Sequence, residues 1–480
     1  MRWIPLLWLA ALPAWAAEPP AGLAPCRLAG IEHAAWCGSV QRPLDPAQPA
    51  GRQIDVHFAV LPAVARNKKP DPVFLFAGGP GQSAIDLAGS ASRLLARLSN
   101  RRDIVLVDQR GTGRSAPLHC ADDAPARPLR EQVDPALQRA ELQRCRAALQ
   151  ALPHGDLRQY TTRIAVQDID AVRQRLGVAR FNAVGGSYGT RAVLETMRQF
   201  PQTVRRAVLD GVAPPDMVLP ASFSPDAQAT FDALLAACEA EPACRQRHPA
   251  LRARWQSLLD SLPREVSVQH PVTRQPERFV LTPAMAASLV RAPLYVPALA
   301  AALPLAVDEA AQGRFTALFG LASAFGGGVR LAAGMHFSVV CAEDLPRLDA
   351  TADRPGADFG TAMADLYRDV CAGWPRGEVP ASFYTVPPAT GATLLLSGGL
   401  DPATPPRHGT RVAQALGPLA RHAVVPNAGH GVMGLLCVRD ALFRFIDAET
   451  DADALAVDAD CAQQVPRPGA FLPPAAGGTP

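Results

Sequence analysis

The chain has 480 residues, is 48% hydrophobic and 19% charged, and carries a formal charge of +3. That is the composition of an ordinary globular protein. Lys68 and Lys69 are the only lysines and the arginines are spread along the chain, so no basic block is present to bind nucleic acid.

Residues 1–17 read as an export signal: Arg2, an apolar run over 4–12, then Ala14-Trp15-Ala16, with cleavage expected after Ala16. The run is too short to span a bilayer, and no later segment holds about 18 uninterrupted apolar residues. No membrane contact is expected once the signal is removed. After a Pro/Ala-rich lead-in, residues 54–61 alternate at period two and predict a strand with one buried face. Residues 73–76 (Val-Phe-Leu-Phe) form a continuous apolar run, the mark of a strand buried on both faces. It ends in Ala77-Gly78-Gly79-Pro80-Gly81-Gln82-Ser83, a loop that can offer backbone N–H groups to a ligand. A second buried strand over 103–107 runs into Asp108-Gln109-Arg110-Gly111-Thr112-Gly113-Arg114-Ser115.

A helix over 162–176, with Ile164, Val166, Ile169 and Val172 on its apolar side, precedes the strand Phe181-Asn182-Ala183-Val184. Gly185-Gly186-Ser187-Tyr188-Gly189 follows, and residues 191–198 read as a helix. Another strand lies over 205–212. The alternation of strand and helix predicts an α/β protein with a mostly parallel sheet and helices on both faces.

From about residue 216 that rhythm stops. Phe231, Leu234, Leu235 and Cys238 lie at i, i+3, i+4 and i+7, and Leu251, Trp255, Leu258, Leu259 and Leu262 repeat the pattern. A hairpin is expected over 266–280, around Pro271. An interruption of about 170 residues is far longer than a loop, and residues 216–388 are assigned as a mainly helical lid. The sheet resumes over 392–401, ending in Leu396-Ser397-Gly398-Gly399-Leu400-Asp401, and again over 421–426 before Asn427-Ala428-Gly429-His430-Gly431. A last helix carries Ala441, Leu442, Phe445 and Ile446, and the Pro/Gly-rich tail 466–480 is expected to be flexible. The α/β core is thus divided into 18–215 and 389–465, with the lid inserted before the Asp401 strand.

Gly-x-Ser-x-Gly between a strand and a helix is a nucleophile elbow, and Ser187, an acid and a histidine in that order make the α/β-hydrolase triad. His430, in a Gly-flanked loop after a strand, is the expected general base. Asp401 is the preferred acid and Asp210, which also ends a strand, its rival. The oxyanion hole is assigned to the N–H groups of Tyr188 and Gly79, since Pro80 has none.

Ten cysteines, none in a C-x-x-C pair, predict disulfides rather than a metal site. Short loops close at the lowest entropy cost, so neighbours are expected to pair: Cys26–Cys37, Cys120–Cys145, Cys238–Cys244, Cys341–Cys371 and Cys437–Cys461.

Together, Gly78-Gly79-Pro80-Gly81, the 108–115 loop, Gly185-Gly186-Ser187-Tyr188-Gly189 and Gly429-His430-Gly431 resemble the proline iminopeptidase family of α/β-hydrolases. The export signal, the long lid and residues 396–405 resemble its exported tripeptidyl-aminopeptidase branch. The resemblance implies an exported serine peptidase, with no metal or organic cofactor, that cleaves short peptides near a free amino terminus. It also implies an acid in the lid that holds the substrate ammonium, and Glu343 then Asp344, directly after the apolar run 337–341, are the candidates. An esterase acting on small acyl esters is the alternative. A non-catalytic binding protein on a hydrolase scaffold is a remote third, since the whole triad and both glycine loops are present.

Overall fold

Eleven strands in the computed structural model, which describes residues 22–120, 126–326 and 330–472, form one nine-stranded sheet and one hairpin. The expected export signal and residues 473–480 of the tail lie outside the described residues. In chain order the strands are β1 (Ala24–Cys26), β2 (Ala35–Pro43), β3 (Gln53–Leu61), β4 (Val73–Phe76), β5 (Ile104–Val107), β6 (Phe181–Gly186) and β7 (Val204–Asp210). The hairpin follows as β8 (Arg264–Gln269) and β9 (Pro276–Leu281), and then β10 (Thr393–Gly398) and β11 (Ala420–Val425). The sheet order is β1-β2-β3-β5-β4-β6-β7-β10-β11. Strands β5, β4, β6, β7, β10 and β11 run parallel, while β1, β2 and β3 form an antiparallel edge.

Why the parallel strands carry continuous apolar runs is visible in the two cores. Phe74, Val105, Ala183, Leu209 and Leu395 face one layer, packed with Val166, Ile169 and Val172 of the helix Thr162–Arg175. Their sequence neighbours Val73, Leu106, Val184, Val208 and Leu394 face the other, against Leu442, Phe445 and Ile446 of the helix Leu436–Asp447. A strand covered on both faces has no polar side to alternate with. The fold is the expected α/β-hydrolase architecture. Strands β1 and β2 were not expected: Gly38, Gln41, Arg42 and Pro43 break any apolar period, and the edge position tolerates them.

The insertion divides by packing. Its first part has a core of its own, with Phe231, Leu235, Trp255, Leu258, Phe279, Leu289, Val307 and Phe319 in one cluster. Its second part does not: Phe337, Val340, Leu345, Tyr367, Val370 and Trp374 join the core of the sheet domain. The run at 337–341 belongs to a buried helix, Ala333–Glu343. All five expected disulfides form, and none joins the insertion to the sheet domain. Residues 466–472 of the tail are fastened to the insertion, where Arg467 Nη2 donates to the Ala233 carbonyl at 3.2 Å and the Phe471 N–H to that of Ala301 at 2.8 Å. Among the described residues no helix is long and apolar enough to cross a membrane.

Candidate active site

The loops after β4, β6, β10 and β11 all leave the carboxyl end of the parallel strands, so the residues singled out in the sequence converge there. Ser187 sits between β6 and the helix Tyr188–Gln199 with φ +55° and ψ −126°. A non-glycine residue holds that conformation only when its surroundings impose it. Here the Ser187 N–H donates to the Asp210 carbonyl at 2.8 Å, and the helix beyond presses on β4. A Cβ added to Gly189 would stand 2.1 Å from the Phe76 carbonyl oxygen, which is why that position has no side chain. The loop after β4 also comes near, for a Cβ on Gly78 would lie 3.3 Å from that of Ser187. That brings Gly79 beside the nucleophile. The Tyr188 N–H belongs to the first turn of a helix, where no intrahelical carbonyl reaches it. Gly79 and Tyr188, the residues expected to form the oxyanion hole, thus follow directly on positions packed at Ser187.

His430 Nδ1 lies 2.8 Å from Asp401 Oδ2, and Asp401 is fully buried. The remaining lone pairs of Asp401 are occupied: Oδ1 accepts the N–H groups of Ala403 (2.8 Å) and Thr404 (2.9 Å), and Oδ2 accepts the Thr404 hydroxyl (2.8 Å). The Thr404 hydroxyl is also 3.1 Å from His430 Nδ1. Burial alone would raise the Asp401 pKa, but the His430 charge and these hydrogen bonds outweigh it and hold the carboxyl below its usual value. Burial likewise works to lower the His430 pKa, and Asp401, with help from Asp210, overcomes it and raises it. The imidazole is therefore held with Nδ1 toward the acid.

Asp210, the rival acid, makes no such contact. Its carboxylate accepts the N–H of Val432 (3.0 and 2.8 Å) and of Met433 (2.8 Å), and burial pushes its pKa up to about 6. It anchors the chain just beyond His430 while its own carbonyl holds Ser187.

The sequence pattern of the alpha/beta hydrolase fold matches residues 71–289, and that of TAP-like proteins matches residues 356–456. This chain is an α/β-hydrolase, with a TAP-like segment in its second half. Over 441 residues it is 26% identical to a protein named serine protease Hip1 from Mycobacterium tuberculosis, covering 83% of this chain and 84% of the relative. It is 32% identical over 197 residues to a tripeptidyl aminopeptidase of Streptomyces coelicolor, covering 37% of this chain and 35% of the relative. A third relative, carboxylesterase B of Mycobacterium tuberculosis, is 28% identical over 417 residues, covering 80% of this chain and 78% of its own.

In this hydrolase the two acids expected to anchor the substrate ammonium, Glu343 and Asp344, face inward. Both side chains are wholly buried against Arg191 of the helix Tyr188–Gln199. Asp344 takes Arg191 Nη1 at 3.0 Å and Nη2 at 3.1 Å, and also the Leu219 N–H at 3.0 Å. Glu343 accepts the N–H of Thr162 at 2.7 Å and its hydroxyl at 2.9 Å. Every carboxylate oxygen already has an internal partner, and burial pushes the Glu343 pKa up to about 7. The cluster ties the insertion to the helix behind the nucleophile. Replacing Arg191 with Met would leave two buried acids without their cation, and is expected to cost about 3–5 kcal/mol of stability, read by urea unfolding.

Several residues that hold the site were not found from sequence. The Tyr295 carbonyl accepts the His430 N–H at 3.0 Å, and its ring meets the imidazole edge-on at 5.1 Å. His336 bridges the Pro80 carbonyl (3.0 Å) and the Tyr367 hydroxyl (2.7 Å), bracing the glycine loop from the insertion. Thr404 had a legible signal: a Ser or Thr three residues after an Asp at a turn commonly bonds back to it.

Proposed function

We propose that this hydrolase is an exported serine aminopeptidase that cleaves short peptides near a free amino terminus through an acyl-enzyme on Ser187. The observation that carries the reading is the buried Asp401–His430 pair at 2.8 Å, at the same end of the sheet as a serine held at φ +55°. His430 Nε2 takes the Ser187 hydroxyl proton as Oγ attacks the scissile carbonyl. The N–H groups of Gly79 and Tyr188 receive the oxyanion. Collapse breaks the C–N bond, His430 returns the proton to the departing amine, and water repeats the sequence to free Ser187. Tyr295 packs on His430 from the insertion, which supports a roofed site and short substrates. The printed names of the Hip1 and tripeptidyl aminopeptidase relatives support peptides, and five disulfides support passage through an oxidising compartment.

A second reading, hydrolysis of small acyl esters, is favoured by one observation: Glu343 and Asp344 are sealed away, so neither offers a free carboxylate to a substrate ammonium. Peptidyl amides with free and acetylated amino termini, assayed beside acyl esters, separate the two. The aminopeptidase reading expects the free peptidyl amide to be cleaved at least about tenfold faster than its acetylated form, the scale of one charge-assisted contact. Turnover of esters alone would replace it with the esterase reading.

A further inference from the structure

One half-buried cation of the insertion is linked to His430 through Tyr295. Arg291, on the helix Pro283–Leu294, lies with its guanidinium 4.2 Å from the centre of the Phe223 ring and 5.3 Å from that of Tyr295. Nη2 donates to the Tyr295 hydroxyl at 2.8 Å. Nε is buried and has no hydrogen-bond partner, and among the described residues Arg291 forms no ion pair. A half-buried guanidinium stacked between two rings but unpaired is costly to maintain, because its desolvation is not repaid by an anion.

Its position relates it to the reaction. Tyr295, which it bonds, packs on His430 and holds the His430 N–H. The Arg291 charge also reaches Tyr367, whose hydroxyl supports His336 and, through it, the glycine loop beside Ser187. The same charge acts on His430. Arg291 thus lies one ring away from the base. Guanidinium is planar and presents paired N–H donors that match a carboxylate.

We propose that Arg291 is a substrate anchor that selects molecules carrying a carboxylate close to the scissile bond. The carboxylate can be an acidic side chain in the acyl part, or the carboxy terminus of a very short leaving peptide. The proposal rests on the serine-hydrolase reading above, and deepens it by naming a substrate class.

The test compares discrimination in the wild type, Arg291→Gln and Arg291→Lys, each as the full mature chain. One arm pairs peptidyl amides with Glu or Gln at the residue that donates the scissile carbonyl. A second pairs short peptides with a free or an amidated carboxy terminus. A third measures inactivation of Ser187 by a fluorophosphonate bearing a carboxylate and by its methyl ester, which needs no turnover. In the wild type the carboxylate form is expected to win at least tenfold in one peptide arm and in the fluorophosphonate arm. The ratio should fall below about twofold in Arg291→Gln and be partly restored in Arg291→Lys. The arm that shows the ratio identifies the source of the carboxylate. No discrimination in the wild type, or the same ratio in Arg291→Gln, overturns the proposal, the latter making Arg291 a packing residue only. If neither peptide arm is cleaved but the fluorophosphonates are discriminated, the peptidase reading falls and this anchor stands.

Discussion

Ser187→Ala is expected to lower kcat by about 10⁶-fold, the scale on which serine hydrolases lose rate with their nucleophile. The fold should be untouched. What holds the elbow is backbone: the bond from the Ser187 N–H to the Asp210 carbonyl and the close approach of Gly189 to Phe76. Alanine keeps the same Cβ at φ +55°, so the strain is no greater than in the native chain. The check is a fluorophosphonate label followed by peptide mapping, beside a thermal melt. Labelling should vanish and the melt should not move. Persistent labelling at another serine would displace Ser187 from its role.

Asp401→Asn is expected to cost about 10⁴-fold in kcat, and the reason lies in which atoms already have partners. Asp401 Oδ1 accepts two backbone N–H groups, so an Asn side chain must keep its carbonyl oxygen there. Its NH₂ then replaces Oδ2 and faces both the Thr404 hydroxyl and His430 Nδ1. The imidazole is driven to the tautomer with its proton on Nε2, where it cannot serve as base. The pH profile supplies a second readout. His430 must be neutral to act, so activity is lost as pH falls through its pKa. In the native enzyme that pKa is raised above 6.5, and the acid limb of kcat/KM should lie correspondingly high. Removing the Asp401 charge should move the limb downward. Asp210→Asn should cost at least a hundredfold less, since one oxygen at the Oδ2 position can still take the N–H of Val432 and of Met433, each at 2.8 Å. A larger loss at Asp210 than at Asp401 would reverse the assignment of the acid.

The two variants also mark where sequence reasoning was strong. An elbow is a contiguous object, in which strand, two glycines, serine and helix are adjacent, so Ser187 was legible. Asp401 and His430 were legible for the same reason, each being a turn residue directly after a buried strand. The disulfides followed from loop length, because the cost of closure depends on separation along the chain and every bond that formed was local.

Glu343 and Asp344 were not legible, because what an acid does depends on what it meets. Their partner Arg191 is 153 positions from Asp344, on the helix that follows the nucleophile, and no local pattern records that pairing. The apolar run before them belongs to a helix buried in the sheet domain. Arg291 is the converse, an arginine like the others in sequence, set apart by its contact with the Tyr295 that packs on His430 once the chain has folded. Period, turn chemistry and loop length are properties of neighbouring residues, and the sequence by itself determined the parallel strands, the elbow and the bridges. Burial and charge pairing are properties of distant residues brought together, and only the tertiary structure decided which carboxylates are spent and which cation stands beside the histidine.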